Sequence, residues 1–178
     1  MLISPAAIRF EKRGQADLIL QAVARHLAGN NVGIEGYFQH NVNAGEDRRT
    51  DLWLEDISTG EKLRISQALG PGSKGCRLDP QALAEACGRM EKRLHSGTEL
   101  LILNRFGKDE FDGRGMRSVI VRAMEMQVPV LVAVSDLYFD GWLEFCGSEF
   151  VNLPPNQEAV LNWAKTAIEW IRAERMVA

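Results

Sequence analysis

Two short runs of uninterrupted apolar residues constrain the fold of this chain more than any other feature of its sequence. Residues 100–103 (LLIL) and 129–134 (PVLVAV) contain no polar side chain, which is typical of strands that are covered on both faces. Segments with apolar residues at helical spacing precede and follow these runs. Helices that alternate with fully buried strands predict an α/β fold with a mostly parallel sheet and helices on both of its faces.

The first half of the chain adds further strand signals to this pattern. Residues 2–10 predict a strand, and because Pro5 lies inside it we expect an edge position or a short start. Residues 32–39 predict a second strand, which ends in a polar loop at 41–49. The buried strands of the second half therefore have partners nearer the start of the chain.

A β-hairpin and a well-marked helix start follow this loop. Residues 50–57 and 61–65 predict two strands around the short turn at 58–60, with Leu52 and Leu54 on one face of the first strand and Trp53 on the other. This pattern predicts a hairpin inserted into the mostly parallel sheet. Asp79 and Pro80 predict the start of a helix, as its N-cap and its first helical residue. No linker or repeat interrupts the pattern, so residues 1–178 are predicted to form a single domain.

The composition of the chain excludes several classes of protein. Its 178 residues are 46% hydrophobic and 25% charged, which are ordinary values for a globular domain. A net charge of −3 offers no basic face for nucleic acid, and no apolar run approaches the roughly eighteen residues that a membrane span needs. Three cysteines and a start without a signal-peptide pattern predict a cytoplasmic protein. We expect no nucleic-acid partner and no membrane insertion, while a protein partner or a homo-oligomer stays open.

A glycine-rich segment at residues 70–77 (GPGSKGCR) is the first candidate for a binding site. Its glycines allow several backbone N–H groups to point toward one anion, and the neighbouring Lys and Arg add positive charge. The alternative is an ordinary surface loop with solvated charges. The candidate anion-binding residues of this segment are Gly70, Gly72, Ser73, Lys74, Gly75, Cys76 and Arg77.

The ends of the predicted strands carry a second group of candidates. Asn104, Arg105 and Lys108 follow the first of the two buried strands, where open α/β sheets place their ligands. Lys12 and Arg13 follow the first strand of the chain, and we expect them to contact the same ligand because both loops end at one edge of the sheet. The alternative is again exposed loops. No arrangement of side chains predicts a catalytic residue or a metal site.

Parts of the chain resemble two known families. Residues 99–110 (ELLILNRFGKDE) and 128–134 resemble the small nucleoside-triphosphatases first described in thermophiles and related to a human cancer-associated enzyme. A closer resemblance, carried by residues 65–80 and 104–115, is to an uncharacterised family of bacterial proteins that are often labelled as linked to molybdenum transport. The resemblance implies a three-layer fold like that of the P-loop NTPases, with the predicted hairpin as an insertion. It also makes molybdate the specific candidate ligand.

The chain departs from the P-loop hydrolases at four positions that their chemistry needs. A working P-loop ends in Gly-Lys-Ser/Thr, where the Lys neutralises phosphate and the hydroxyl binds Mg²⁺. At those positions this chain has Gln15 and Ala16. At the end of the strand that carries the acidic residues of the family, Asn104 replaces the metal-binding Asp and Arg105 replaces the water-activating Glu. Hydrolysis of ATP by the usual route is therefore not expected.

Three functions are compatible with these residues. The first is non-catalytic binding of a small oxyanion, such as molybdate or tungstate, or of a phosphate-bearing ligand, with no cofactor beyond the bound anion. The second is an unconventional nucleoside-triphosphatase or nucleotide-binding regulator, in which Lys12, Lys74 or Lys108 replaces the missing Lys. The third is an interaction scaffold that has kept the fold and lost its ligands.

Overall fold

Seven strands form one sheet in the computed structural model, which describes residues 3–12, 14–44, 49–67 and 77–177. In chain order they are β1 (Ala6–Phe10), β2 (Ile34–Ala44), β3 (Arg49–Asp56), β4 (Lys62–Arg64), β5 (Leu100–Phe106), β6 (Val130–Ser135) and β7 (Val151–Leu153). Their spatial order is β4-β3-β2-β5-β6-β1-β7. The five strands β2, β5, β6, β1 and β7 run parallel to one another. At the other end of the sheet, β3 pairs antiparallel with β2, and β4 pairs antiparallel with β3. The predicted mostly parallel sheet with an inserted hairpin is therefore confirmed.

Helices cover both faces of the sheet. They are α1 (Gln15–Ala28), α2 (Pro80–Arg93), α3 (Lys108–Phe111), α4 (Arg117–Glu125), α5 (Phe139–Cys146) and α6 (Gln157–Val177). The predicted start of α2 is confirmed, since the Asp79 carboxylate accepts hydrogen bonds from the backbone N–H groups of Gln81 and Ala82 at 3.0 and 3.1 Å. No helix in the described part of the chain combines the length and the apolar character that a membrane crossing requires.

The two apolar runs of the sequence supply the centre of two cores. Alternate residues of each central strand point to opposite faces, so that Leu101 and Leu103 of β5 lie with α2, α4 and α5, whereas Leu100 and Ile102 lie with α1 and α6. All four side chains are at most 1% exposed. Because β5 is covered on both faces along these four residues, none of the four positions is polar, as the apolar run in the sequence indicates.

Two strand predictions are wrong in part. Of the two alternatives for β1, the edge position is wrong, because β1 lies between β6 and β7, and the short start is confirmed, because the strand begins at Ala6, directly after Pro5. Pro5 precedes its first ladder pair, so the N–H group that proline lacks is not needed there. The predicted polar loop at 41–49 is wrong in its first half, since β2 continues to Ala44 and pairs with β3 from Tyr37 onward. Antiparallel pairing satisfies the backbone hydrogen bonds of this stretch, and the side chains of Asn41 and Val42 are exposed.

Glu99 joins the start of β5 to the terminal helix. Its carboxylate accepts hydrogen bonds from the backbone N–H of Gly33 at 2.8 Å and from the guanidinium of Arg172 on α6. The Arg172 hydrogen bonds hold the pKa of Glu99 below its usual range, because they stabilise the charged form. A lowered pKa means that the ionised carboxylate stabilises the folded state above its unfolded pKa, and that this contribution is lost as the pH falls.

We expect Glu99→Gln to reduce the free energy of unfolding by about 1–2 kcal/mol at pH 7, because the substitution removes a charged hydrogen-bond acceptor. The difference from the parent protein should shrink as the pH falls below about 4.5, where the unfolded carboxyl group becomes protonated. Urea unfolding at a series of pH values measures both effects. Glu174→Gln, at an exposed position of the same helix, is the control and should change stability by less than about 0.5 kcal/mol. A pH-independent difference at Glu99 would contradict the assignment.

Candidate functional site

A cavity of about 480 Å³ lies between the β2–β3 hairpin and the turn that follows β5, and we call it the β5 cavity. It opens beside the carboxyl end of β5, the position at which open α/β sheets place their ligands. Four predicted ligand-binding residues line it together: Arg77, Asn104, Arg105 and Lys108. The structure therefore brings residues from two separate segments of the sequence to one cavity.

Two cationic side chains of the β5 cavity, Arg77 and Lys108, are bonded to neighbouring residues and still line the cavity. Arg77 donates to the carbonyl oxygen of Thr50 at 3.1 Å and to the carboxylate of Asp51 at 3.2 Å, which uses two of the five guanidinium donors. Lys108 pairs with Asp112 at 2.7 Å, and with its side chain 69% exposed this pair is a weak surface interaction. An anion that enters the cavity can compete for both side chains.

The acidic side chains of this cavity are turned to partners of their own. Glu110 accepts hydrogen bonds from the backbone N–H groups of Gly107 and Met116, both at 2.9 Å, and so closes the turn that carries Lys108. Burial raises the pKa of Glu110, since a charged carboxylate is poorly solvated there. Asp109 faces the guanidinium of Arg114. These contacts reduce the repulsion that an incoming anion would otherwise meet.

The base of the glycine-rich segment lies at the same cavity. Ser66 and Leu78 form an isolated antiparallel bridge, and the N–H of Gln67 donates to the carbonyl oxygen of Arg77 at 2.7 Å. The described residues on either side of positions 68–76 are thus paired with one another beside the cavity. Six predicted residues of the segment lie outside the described residues: Gly70, Gly72, Ser73, Lys74, Gly75 and Cys76. Their predicted role as an anion nest stays a prediction.

The Asn104 side chain has a structural role that could not be inferred from its position in the sequence. The backbone ladder between β2 and β5 runs as far as Tyr37 and Leu103, and the Asn104 side chain then continues it. Its amide accepts from the N–H of Gln39 at 2.7 Å and donates to the carbonyl oxygen of Gln39 at 2.9 Å. The second N–H of the amide donates to the Asp17 carboxylate of α1 at 2.9 Å. Both donors of this buried amide are therefore in use, and its predicted contact with a ligand stays a prediction.

The loop between β1 and α1 forms a different cavity, of about 700 Å³. Lys12 lines this second cavity and not the β5 cavity, so the structure does not bring it to the other predicted residues. Arg13 lies outside the described residues. Asp136, which follows β6, is paired with Arg9, and the Arg9 guanidinium lies 4.5 Å from the centre of the Phe139 ring. Arg9 and Asp136 thus neutralise one another at this edge of the sheet.

The residues present do not fit the magnesium–nucleotide group of a P-loop hydrolase. At the position where the sequence resemblance expects the metal-binding hydroxyl, Ala16 has a methyl group, and it is buried. Gln15 has no charge, and the amide of Asn104 is committed to Gln39 and Asp17. Among the described residues, no group of three or more His, Cys, Asp or Glu side chains is arranged to hold a metal ion.

The apolar part of the β5 cavity was not predicted. Leu52 of β3, Leu78 and Tyr138 line it and are partly exposed. The alternation along the hairpin was the available signal, because it places Leu52 and Leu54 on one face of β3. That face points toward α2 and the cavity, a fact that only the position of the hairpin in the sheet decides.

Comparison with known proteins agrees with the fold and with the sequence resemblances. Residues 5–163 match the family described as a protein of unknown function, DUF2478. The molybdenum import ATP-binding protein ModC 2 of Bradyrhizobium diazoefficiens is 30% identical over 158 residues, which are 89% of this chain and 18% of that protein. The chain thus spans less than a fifth of this relative, whose name describes a much longer protein.

Two solved structures share the architecture. The solution structure of a human cancer-related nucleoside triphosphatase has a TM-score of 0.62 at 12% identity, with 96% of this chain and 98% of that chain covered. The crystal structure of THEP1 from Aquifex aeolicus also has a TM-score of 0.62, at 16% identity and 93% and 98% coverage. At such identities the likeness shows the fold alone, and the fold is that of the small P-loop NTPases.

Proposed function

The chain belongs to the DUF2478 family, and from that premise we propose that it binds a small anion, either an oxyanion or the phosphate group of a larger ligand, without hydrolysing it. The observation that carries the proposal is the presence of Arg77, Arg105 and Lys108 around one cavity at the carboxyl end of β5. Arginine grips oxyanions through parallel hydrogen bonds, and lysine adds a mobile charge.

The positions at which a hydrolase holds magnesium support the non-catalytic half of the proposal. Gln15, Ala16 and Asn104 lack the charge, the hydroxyl and the carboxylate that metal-assisted phosphoryl transfer uses. Because the relative from Bradyrhizobium diazoefficiens is named as a molybdenum import protein, molybdate is the first oxyanion to test, with tungstate as its chemical analogue. A nucleotide-binding regulator is the second candidate, which the P-loop NTPase fold favours.

Calorimetric titration with molybdate, tungstate, phosphate and ATP tests the proposal. We expect binding of at least one of these anions, weakened about tenfold by Lys108→Ala. Lys12→Ala removes an exposed cation from the second cavity and is the matched control, for which we expect unchanged affinity.

Two results would refute the proposal. One is the absence of binding heat with every anion, and the other is binding that Lys12→Ala weakens while Lys108→Ala does not. Release of phosphate from ATP that requires Mg²⁺ and is lost in Lys108→Ala would instead establish an unconventional nucleoside-triphosphatase.

A further inference from the structure

We infer that the β5 cavity selects an organic anion with an apolar body over a bare inorganic oxyanion. The inference rests on the proposed function, because it concerns the ligand class of the same cavity. It goes beyond that function by choosing between its two ligand types, and the choice depends on the size and the lining of the cavity.

The size of the cavity is the first argument. A tetrahedral oxyanion has five heavy atoms and fills the space of about three water molecules, or roughly 90 Å³. The cavity measures about 480 Å³, so a bare oxyanion leaves most of it to water. Sites for small organic molecules typically measure about 300–1,000 Å³. The β5 cavity falls inside this range.

The lining of the cavity is the second argument. Leu52, Leu78 and Tyr138 present partly exposed apolar surface, and behind them lie side chains that are at most 9% exposed, among them Leu54 and Leu83. Apolar surface gives no hydrogen bond to an oxyanion and disfavours the approach of an unpaired charge. The same surface stabilises an apolar ligand body by removing it from water.

The two halves of the lining together define the ligand. Arg77, Arg105 and Lys108 provide charge for an anionic group, and the leucines and the tyrosine provide a surface for a hydrocarbon or aromatic body. A phosphate monoester of an apolar alcohol has both parts. Phenyl phosphate is a suitable probe, with inorganic phosphate as its matched fragment.

Ligand-observed NMR titration of the full chain measures these weak affinities. We expect phenyl phosphate to bind at least tenfold more tightly than inorganic phosphate or molybdate. Leu52→Gln and Leu78→Gln, each at a partly exposed position, should weaken phenyl phosphate about three- to tenfold and leave inorganic phosphate unchanged. Lys108→Ala should weaken both ligands. Leu18→Gln, 69% exposed on α1 and outside the cavity, should weaken neither.

The outcomes separate this inference from the proposed function. If inorganic phosphate or molybdate binds as tightly as phenyl phosphate and neither leucine substitution matters, the inference is wrong and anion binding stands. If no anion binds, both are wrong. If benzyl alcohol, which is neutral, binds as tightly as phenyl phosphate, the cavity does not select an anion and both are again overturned.

Discussion

Replacing Gly36 with alanine is expected to remove most of the stability of the protein. Gly36 lies in β2 opposite Ile102 of β5, with φ at +147°, a conformation that side chains with a Cβ rarely adopt. A Cβ at this position would lie 1.9 Å from the carbonyl oxygen of Ile102 and 2.8 Å from its carbonyl carbon. Both atoms belong to the backbone of a central strand, so neither can move aside cheaply. We expect a loss of about 4 kcal/mol or more, against a total stability of about 5–15 kcal/mol for such domains.

Chemical denaturation followed by circular dichroism measures this loss. Gly88→Ala is the matched control, because Gly88 lies in α2 and a Cβ there would meet no atom within 4 Å. Alanine at that position should raise stability by about 0.5–1 kcal/mol, through its better helix propensity. If Gly36→Ala unfolds within 1 kcal/mol of the parent protein, as judged by the same assay, the close approach of β2 to β5 is wrong.

The elements that the sequence predicts well are those whose causes are local. The buried strands at 100–103 and 129–134 follow from their uninterrupted apolar residues, and the start of α2 follows from Asp79 and Pro80 alone. Each of these signals depends on a few neighbouring residues. A single sequence contains all the information that such elements require.

The elements that the sequence predicts poorly depend on distant partners. Residues 41–44 begin a stretch that is predicted as a polar loop, and they form strand because β3 pairs with them. The interior place of β1 depends on β7, which follows it by about 140 residues. The need for glycine at position 36 depends on the carbonyl group of Ile102. Pairings of this kind are decided by the whole sheet and leave no local signature.

For the candidate site too, part of the prediction agrees with the structure and part does not. The rule that ligands meet the carboxyl ends of parallel strands grouped Asn104, Arg105 and Lys108, and all three line the β5 cavity. The same rule also joined Lys12 to this group, whereas the structure gives Lys12 a cavity of its own. The β5 cavity is bounded on one side by β2 and β3. The position of β3 beside β2 in the sheet could not be derived from the positions of the loops.

Restoring the carboxylate of a P-loop hydrolase by Asn104→Asp is expected to destabilise the protein by about 3–5 kcal/mol and to restore no hydrolysis. The Asn104 amide donates to the carboxylate of Asp17 and to the carbonyl oxygen of Gln39, both at 2.9 Å. A carboxylate has no N–H to donate, so two acceptor oxygens would face a negative charge in a position that is 2% exposed. Magnesium binding would still lack the hydroxyl that Ala16 replaces.

Chemical denaturation and a phosphate-release assay with Mg²⁺ and ATP check the two halves of this prediction. Asn152→Asp makes the same chemical change at an exposed position of β7 and should alter stability by less than about 0.5 kcal/mol. An Asn104→Asp protein as stable as its parent would show that this amide does not hold β2 and α1 to β5. A stable variant that also gains magnesium-dependent turnover would show that position 104 alone separates this chain from a hydrolase, because Gln15 and Ala16 would then be compatible with the reaction.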